Sequence, residues 1–193
     1  MRIQSFIGAV FAIAISSLAA CGGDDGGSSD LTCESYCTSL MSNCTATNQQ
    51  FSSMENCMSS CAHYPEGDVA DTTGNTLGCR TYHAGSPAKN VPTEHCVHAG
   101  PGGAAPGGTG PCGSTCESFC TLVLGSCTGA NAQYGGDMNT CMTACAGFPM
   151  TPMYSSSQTG GNSFACRLYH ATVASGSPDT HCKHTAAASD TCK

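Results

Sequence analysis

Sixteen of the 17 cysteines in this chain form two sets of eight, and the second set repeats the first about 83 residues later. The offsets between equivalent cysteines are 83, 83, 83, 84, 84, 87, 86 and 80, a register that scattered thiols would not keep. An even number in each set predicts closed disulfides within two tandem modules. The first set comprises Cys33, Cys37, Cys44, Cys57, Cys61, Cys79, Cys96 and Cys112, and the second comprises Cys116, Cys120, Cys127, Cys141, Cys145, Cys166, Cys182 and Cys192.

Spacing and composition together predict a small, disulfide-rich, mostly α fold, with two tandem modules based on helical hairpins. Each module has about 80 residues, and a hydrophobic core of that size supplies only about 3–5 kcal/mol. The chain has no Trp and only 6% aromatic residues, which rules out large apolar cores. Disulfides worth about 2–4 kcal/mol each would supply the rest, and such bridges require an oxidising compartment.

Hydrophobic periodicity predicts that each module begins with a helix. Apolar residues and cysteines fall on one helical face between Cys33 and Cys44, and again between Cys116 and Cys127. We expect Thr32 and Thr115 to be the N-caps of these helices, because a threonine hydroxyl can accept a hydrogen bond from the first turn.

Further helices are predicted at aligned places in the two modules. Each second helix carries a C-x3-C pair and precedes an aromatic–proline stop, and each fourth helix has proline at its first position. The predicted starts are Ser52 or Ser53 and Asp137 for the second helix, Thr76 and Ser163 for the third, and Pro92 and Pro178 for the fourth.

Changes of composition divide the chain into a leader, a tether and two modules. Residues 1–20 form the leader, and residues 21–30 are a polar, flexible tether. Module 1 spans residues 31–113 and module 2 spans residues 114–193. Residues 99–111 are too rich in Gly and Pro for regular structure, so they predict a linker that joins the two modules. We expect this linker to be the preferred site of limited proteolysis, because it offers few backbone hydrogen bonds.

Two C-x3-C helices joined by a short loop resemble the twin C-x3-C helical hairpins of small intermembrane-space chaperones and plant hairpin peptides. The resemblance implies that Cys37 pairs with Cys57 and that Cys33 pairs with Cys61. A hairpin displaced by one turn would instead join Cys37 to Cys61 and Cys44 to Cys57, and the sequence leaves both arrangements open.

The first 21 residues have the pattern of an export signal. Arg2 precedes an apolar stretch from Ile3 to Leu18 that is short and interrupted for a membrane span. The string Leu-Ala-Ala-Cys that ends at Cys21 resembles the bacterial lipobox, in which cleavage makes the cysteine the first mature residue. This resemblance implies that Cys21 carries a lipid anchor containing palmitate, through which the membrane is a partner.

The alternative is ordinary signal cleavage after Ala20, which would leave Cys21 as a free thiol. A lone thiol beside sixteen paired cysteines would invite wrong pairing, so lipidation is the preferred interpretation. In the enteric lipoprotein pattern, an Asp directly after the cysteine favours retention in the inner membrane. Because Gly22 stands there, the resemblance implies the bacterial outer membrane or cell surface.

Six of the seven histidines recur at equivalent positions in the two modules. One lies in the repeated string Cys-Arg-x-Tyr-His-Ala, and two lie in the string His-Cys-x-His. His95 and His98 are three residues apart on a predicted helix, so their imidazoles can face one point together with His83. Three imidazole nitrogens suit zinc or copper. The candidate metal ligands are His83, His95, His98, His170, His181 and His184.

A structural role for these histidines is the main alternative. His83 could hydrogen-bond to backbone beside its disulfide, and His95 and His98 could cap carbonyls at a helix end. In the same repeated strings we expect the arginines to pair with an acid or with helix carbonyls, and the tyrosines to be core aromatics. These residues are Arg80, Arg167, Tyr82 and Tyr169.

The sequence carries no signature of the common enzyme classes. It lacks G-x-S-x-G, H-E-x-x-H, C-x-x-C and C-x-x-C-H, the motifs of serine hydrolases, zinc proteases, thiol oxidoreductases and c-type haem attachment. The net charge of −7 provides nothing that would neutralise phosphates, so nucleic acid is excluded as a partner.

The whole pattern resembles the tandem cysteine-rich lipoproteins of myxobacteria and their relatives, which implies a location but no activity. We interpret the chain as a lipid-anchored extracytoplasmic protein without enzymatic activity or a cofactor. Its role would be binding or surface structure, with an unknown protein or surface partner. Binding of zinc or copper through the repeated histidines is the first alternative, and a metal-dependent enzyme without a recognised motif is the second.

Overall fold

The computed structural model describes residues 31–193, so the expectations for the leader, Cys21 and the tether lie outside the described residues. Within them the fold is mostly helical, as predicted, and it is cross-linked by eight disulfides. In this part of the chain, no helix is both long enough and apolar enough to cross a membrane.

The two modules share the order of their first three helices and differ after them. Module 1 contains α1 (Cys33–Asn43), α2 (Met54–Cys61), α3 (Leu77–Ala84), α4 (Ser86–Asn90) and α5 (Pro92–Ala99). A short antiparallel hairpin of β1 (Thr109–Gly110) and β2 (Gly113–Ser114) leads into module 2. Module 2 contains α6 (Thr115–Ser126), α7 (Met138–Cys145), α8 (Phe164–Ala174) and α9 (Pro178–His181). Short 3-10 helices lie at Ala46–Asn48, Gly129–Asn131, Tyr134–Gly136 and Cys182–Thr185. The modules differ because α4 has no separate counterpart in module 2 and the equivalent of α5 is divided between α9 and the last of these 3-10 helices.

Side-chain caps determine where the first helix of each module begins. Thr32 caps α1, as predicted, and its hydroxyl accepts a hydrogen bond from the backbone amide three residues on at 3.1 Å. In module 2 the cap is Ser114, which accepts from the Glu117 amide at 3.2 Å. The prediction of Thr115 as the cap is therefore wrong by one residue, because the Thr115 hydroxyl is buried and donates to the Ala105 carbonyl at 2.8 Å instead.

The disulfides repeat one pattern in both modules. Cys33–Cys61 and Cys37–Cys57 staple α1 to α2, which is the pairing that the hairpin resemblance implied and not the displaced one. The other pairs of module 1 are Cys44–Cys96 and Cys79–Cys112. The equivalent pairs of module 2 are Cys116–Cys145, Cys120–Cys141, Cys127–Cys182 and Cys166–Cys192.

One hydrophobic core runs through both modules. Helix α2 of module 1 packs against α8 of module 2, and Ser60 Oγ donates a hydrogen bond to the Thr172 carbonyl there at 3.2 Å. The Tyr154 hydroxyl of module 2 also donates to the Gln50 carbonyl of module 1 at 2.8 Å. Because the two modules bury apolar surface against each other, each contributes to the stability of the other.

The Gly/Pro-rich segment 99–111 is irregular, but its first part is packed into the protein. Residues 99–104 are buried, and Tyr36 donates a hydrogen bond to the Ala99 carbonyl at 2.7 Å. Gly103 has a φ of +66°, and a Cβ there would lie 2.2 Å from the Cys112 carbonyl oxygen, so glycine is required. The expectation of preferred proteolysis across the segment is therefore wrong for residues 99–104, because a protease cannot reach buried backbone.

Candidate metal centres

Three histidines converge in each module where two helical segments meet. In module 1, α3 and α5 pack against each other, and they bring together His83, His95 and His98. One ring nitrogen of each lies within 4.8 Å of the other two. This group is cluster 1, and its counterpart in module 2, cluster 2, consists of His170, His181 and His184.

Disulfides hold the two helices that carry cluster 1. Cys79 lies one turn before His83 on α3 and is bridged to Cys112. Cys96 lies between the two histidines of α5 and is bridged to Cys44. The cluster is thereby assembled by the fold itself, which reduces the entropy lost when a ligand orders its site.

A backbone carbonyl fixes the tautomer of one histidine in each cluster. His83 Nε2 lies 3.3 Å from the Thr72 carbonyl oxygen, and His170 Nε2 lies 3.2 Å from that of Thr159. A carbonyl only accepts, so Nε2 carries the proton in both histidines and the neutral ring presents a lone pair at Nδ1. A metal-ligating histidine typically donates its other N–H to such an outer partner.

These Nδ1 lone pairs lie close to further imidazole nitrogens. His83 Nδ1 is 2.9 Å from His95 Nδ1. In cluster 2, His170 Nδ1 is 2.9 Å from His181 Nδ1 and 3.3 Å from His184 Nδ1. Two nitrogens of a tetrahedral zinc site with bonds of about 2.0–2.1 Å are separated by about 3.3 Å. The His170–His184 distance matches this separation, whereas the 2.9 Å contacts are hydrogen-bond distances that would have to lengthen by about 0.4 Å around a shared metal ion.

Hydrogen bonds between the rings leave cluster 1 incompletely paired. A proton on His95 Nδ1 would satisfy the short contact to His83. The third nitrogen, His98 Nδ1, is buried and has no hydrogen-bond partner among residues 31–193. An unsatisfied buried polar atom costs about 1–3 kcal/mol, and a cation shared by the three rings would remove that cost.

Burial lowers the pKa of five histidines in the two clusters. It lowers the pKa of His170 to about 4, and the neighbouring imidazoles act in the same direction. Burial also lowers the pKa of His83, His98, His181 and His184. Since neutral imidazole is the form that ligates metals, these side chains are in their ligating form at neutral pH.

Each cluster is buried on one side and accessible on the other. His83 is 5% exposed and His170 is 4% exposed, whereas the remaining four cluster histidines are half-buried. The Cys79 and Cys112 sulfurs lie close to His83 but are joined in a disulfide, so they are not thiolate ligands. An ion held by the three nitrogens would therefore keep an open coordination position.

A comparison with the profiles of known domain families identifies the type of domain that both modules represent. The profile of the BfoA family C-terminal domain matches residues 26–113 and again residues 112–192. This chain belongs to the BfoA family. The two consecutive matches show that the cysteine-rich domain occurs in tandem, as the cysteine register predicts. No curated protein and no solved structure matches the chain.

The arginines of the repeated strings beside clusters 1 and 2 are buried, whereas the tyrosines are at least partly exposed. Arg80 is fully buried and donates to the Thr76 carbonyl at 3.3 Å, in line with the expected helix carbonyl. Arg167 likewise donates to three backbone carbonyls. Tyr82 is 48% exposed and Tyr169 is only partly buried, so the assignment of these two tyrosines to the core is wrong. Arg80 and His83 occupy the buried face of α3, which turns Tyr82 outward, with its ring edge-on to His83.

The sequence identifies the clustered side chains but not the backbone groups that orient them. The Thr72 and Thr159 carbonyls each lie eleven residues before the histidine that they orient. This equal spacing was the only available signal, since a carbonyl has no residue-type signature. The unrepeated histidine, His63, lies apart from both clusters and contacts Ser175 Oγ at 2.9 Å.

Proposed function

We propose that this BfoA-family protein is a lipid-anchored extracytoplasmic binding protein that holds one zinc or copper ion in each module. The supporting observation is the convergence of three ring nitrogens at equivalent places in both modules. The tautomers of His83 and His170 present lone pairs to the clusters, and His98 Nδ1 has no other partner among the described residues. A role limited to hydrogen bonding would leave that nitrogen unexplained.

The donor atoms favour zinc or copper over other common cations. Calcium and magnesium prefer oxygen ligands, whereas imidazole nitrogen suits zinc and copper. The absence of hydrolase, protease and oxidoreductase motifs from the sequence supports binding rather than catalysis.

The purified, oxidised protein is expected to bind two equivalents of zinc, one per module. His98→Ala should remove one equivalent, because cluster 2 lies entirely within module 2. Calorimetric titration with zinc, checked by elemental analysis after gel filtration, measures this stoichiometry. His63→Ala is the matched control and should retain both equivalents, since His63 lies outside the clusters.

A wild-type oxidised protein that binds neither zinc nor copper would contradict the proposal and make the histidines structural. The pH dependence gives a second check, because protons compete with the metal for Nδ1. Burial lowers the pKa of His170 to about 4. Competition by protons at His170 should therefore begin at lower pH than for an ordinary imidazole, whose pKa is about 6.5.

We further propose that Cys21 carries the lipid anchor and that the protein resides on the outer membrane or cell surface. The lipobox-like string that ends at Cys21 supports the anchor. The eight disulfides support an oxidising compartment outside the cytoplasm. The resemblance to tandem cysteine-rich myxobacterial lipoproteins is consistent with both.

Cys21→Ala is expected to release the protein from the membrane fraction. A lipoprotein anchor with more than one acyl chain gives firm retention, and its loss leaves no comparable attachment. Cell fractionation with immunoblotting, together with labelling by a palmitate analogue, measures the change. Ser28→Ala, in the same tether, should leave both signals intact. A Cys21→Ala protein that stays with the membranes would refute the anchor.

A further inference from the structure

We infer that this protein associates with further copies of itself head to tail, with module 2 of one copy bound to module 1 of the next. This association requires no metal ion. The two modules of one chain already form a contact of this kind, and the duplication leaves an equivalent of each half of that contact on the opposite module.

The contact inside one chain joins two different faces, one from each module. Module 1 contributes a tail face, which comprises residues 49–50, helix α2 and Val97. Module 2 contributes a head face, which comprises residues 153–156 and the side of α8 that carries Leu168 and Thr172. Because the two faces differ, the contact is heterologous, and a heterologous contact does not close on itself.

Module 2 carries an equivalent tail face that is more exposed than the one in module 1. Along it, residues that are buried in module 1 become half-buried, and half-buried residues become exposed. The equivalent pairs are Gln50 and Gln133, Asn56 and Thr140, Ser59 and Thr143, Ser60 and Ala144, and Val97 and Lys183. Residues 139–144 of α7 line a shallow surface concavity at the place where α8 lies on α2. This difference is the one that a missing partner module would produce.

Module 1 carries an equivalent head face that is likewise more exposed. Leu168 is fully buried in module 2, and its equivalent in module 1 is the half-buried Thr81. Counted back from the third helix, residues 66–69 correspond to residues 153–156. All four of residues 66–69 are exposed, including Val69 at 56%, whereas residues 154–156 are half-buried against module 1. A head face therefore stands uncovered on module 1, and it fits the uncovered tail face of another copy.

The two uncovered faces carry opposite charges at positions that would meet. In the internal contact, Val97 and Met153 line one cavity between the modules. Their equivalents on the uncovered faces are Lys183 and Glu66, and both are exposed. Asp68 adds a second exposed acid to the head face of module 1. An apolar pair inside the chain is thus replaced by an ion pair between chains, which would steer separate molecules together and fix their register.

A second copy of this chain is the occupant that these faces fit, because its module 1 has the same fold as the module that covers the internal tail face. Each added copy presents a new tail face, so the association continues into open chains and does not stop at a dimer. The ion pair at its rim is exposed and contributes little by itself. The association should therefore be weak in dilute solution and sensitive to salt.

Sedimentation velocity of the purified, oxidised protein with EDTA present tests the charge pair. At low salt the weight-average sedimentation coefficient should rise with protein concentration up to about 1 mM, and the rise should shrink as salt is added. Lys183→Glu or Glu66→Lys should remove most of the rise, and the protein with both changes should recover it, because the pair re-forms with its signs exchanged. Lys193→Glu makes the same change of charge outside both faces and should leave the rise intact. A wild-type coefficient that stays constant, or a double variant that does not recover, would overturn the inference.

Blocking one face at a time tests the head-to-tail order. Thr143→Arg blocks the tail face of module 2, and Val69→Arg blocks the head face of module 1. Both residues are exposed, so neither change should disturb folding. Each variant alone should remain monomeric, and an equimolar mixture should form 1:1 dimers and nothing larger, because each protein keeps the face that the other has lost. A mixture that stays monomeric, or a wild-type protein that stops at dimers, would contradict head-to-tail association.

Discussion

Reduction of the eight disulfides is expected to unfold the whole chain at neutral pH and 25 °C. The bridges span 20 to 55 residues, and each constrains the unfolded chain by about 2–4 kcal/mol. Their combined contribution exceeds the total stability of an ordinary domain, which is about 5–15 kcal/mol. Both modules should unfold together, because they share one hydrophobic core.

Far-UV circular dichroism and thiol labelling measure this loss. The helical signal should disappear on addition of a phosphine reductant, as the sixteen bridged cysteines become reactive. The same phosphine in its oxide form is the control and should change neither signal. A reduced protein that keeps its helical spectrum with all sixteen thiols free would show that the core alone maintains the fold.

Disulfides that close longer loops are expected to contribute more to the free energy of unfolding, and two bridges of module 1 allow a comparison. The Cys44–Cys96 bridge has a sequence separation of 52 residues, and Cys37–Cys57 has a separation of 20. Loop entropy predicts a cost of about 4 kcal/mol for removing the first with paired alanines, against about 3 kcal/mol for the second. The first bridge also anchors the helix that carries His95 and His98, so its removal alone should weaken zinc binding by module 1.

The framework of each module could be predicted because its determinants are local. The pair Cys33 and Cys37 and the pair Cys57 and Cys61 lie one turn apart on their own helices, so a hairpin limits their partners to few choices. The proline that begins α5 at Pro92 likewise acts through its own backbone geometry.

Features that depend on contacts distant in sequence could not be predicted. The burial of residues 99–104 and the packing of α2 on α8 arise only when the two modules meet. Tyrosine is a residue type that is often buried, yet Tyr82 is exposed. Arg80 lies on the buried face of the same helix, where its guanidinium donates a hydrogen bond to Ser118 of module 2. Hydrophobic periodicity indicates which face of a helix is apolar. It does not indicate which polar side chain will find hydrogen-bond partners in a neighbouring module.

In the candidate site, too, some features could be predicted from the sequence and others depend on contacts between distant residues. The six histidines could be predicted as candidate ligands because they recur at equivalent positions in both modules. Their convergence required the α3–α5 packing, and the Thr72 carbonyl that fixes the His83 tautomer is a backbone group.

Arg80 is a buried polar link between the modules. It is fully buried, and its Nη2 donates to Asn75 Oδ1 at 2.8 Å and to Ser118 Oγ of module 2 at 3.0 Å. Its guanidinium lies 4.0 Å from the centroid of the Tyr64 ring, a desolvated cation–π contact worth about 2 kcal/mol. Among the described residues no carboxylate pairs with Arg80, so neutral acceptors and an aromatic face carry the stabilisation.

Arg80→Ala is therefore expected to lower the free energy of unfolding by about 3–5 kcal/mol, through a cavity and through acceptors left unpaired. Ser118→Ala removes the hydrogen bond from Arg80 and the bond that Ser118 Oγ donates to Asn75 Oδ1 at 3.3 Å, and it should cost about 1–2 kcal/mol. Lys89→Ala, which removes an exposed cation of module 1, is the control and should cost less than about 0.5 kcal/mol. Urea unfolding measures all three in the oxidised protein. If Arg80→Ala cost no more than Lys89→Ala, the buried guanidinium would not be what couples the two modules.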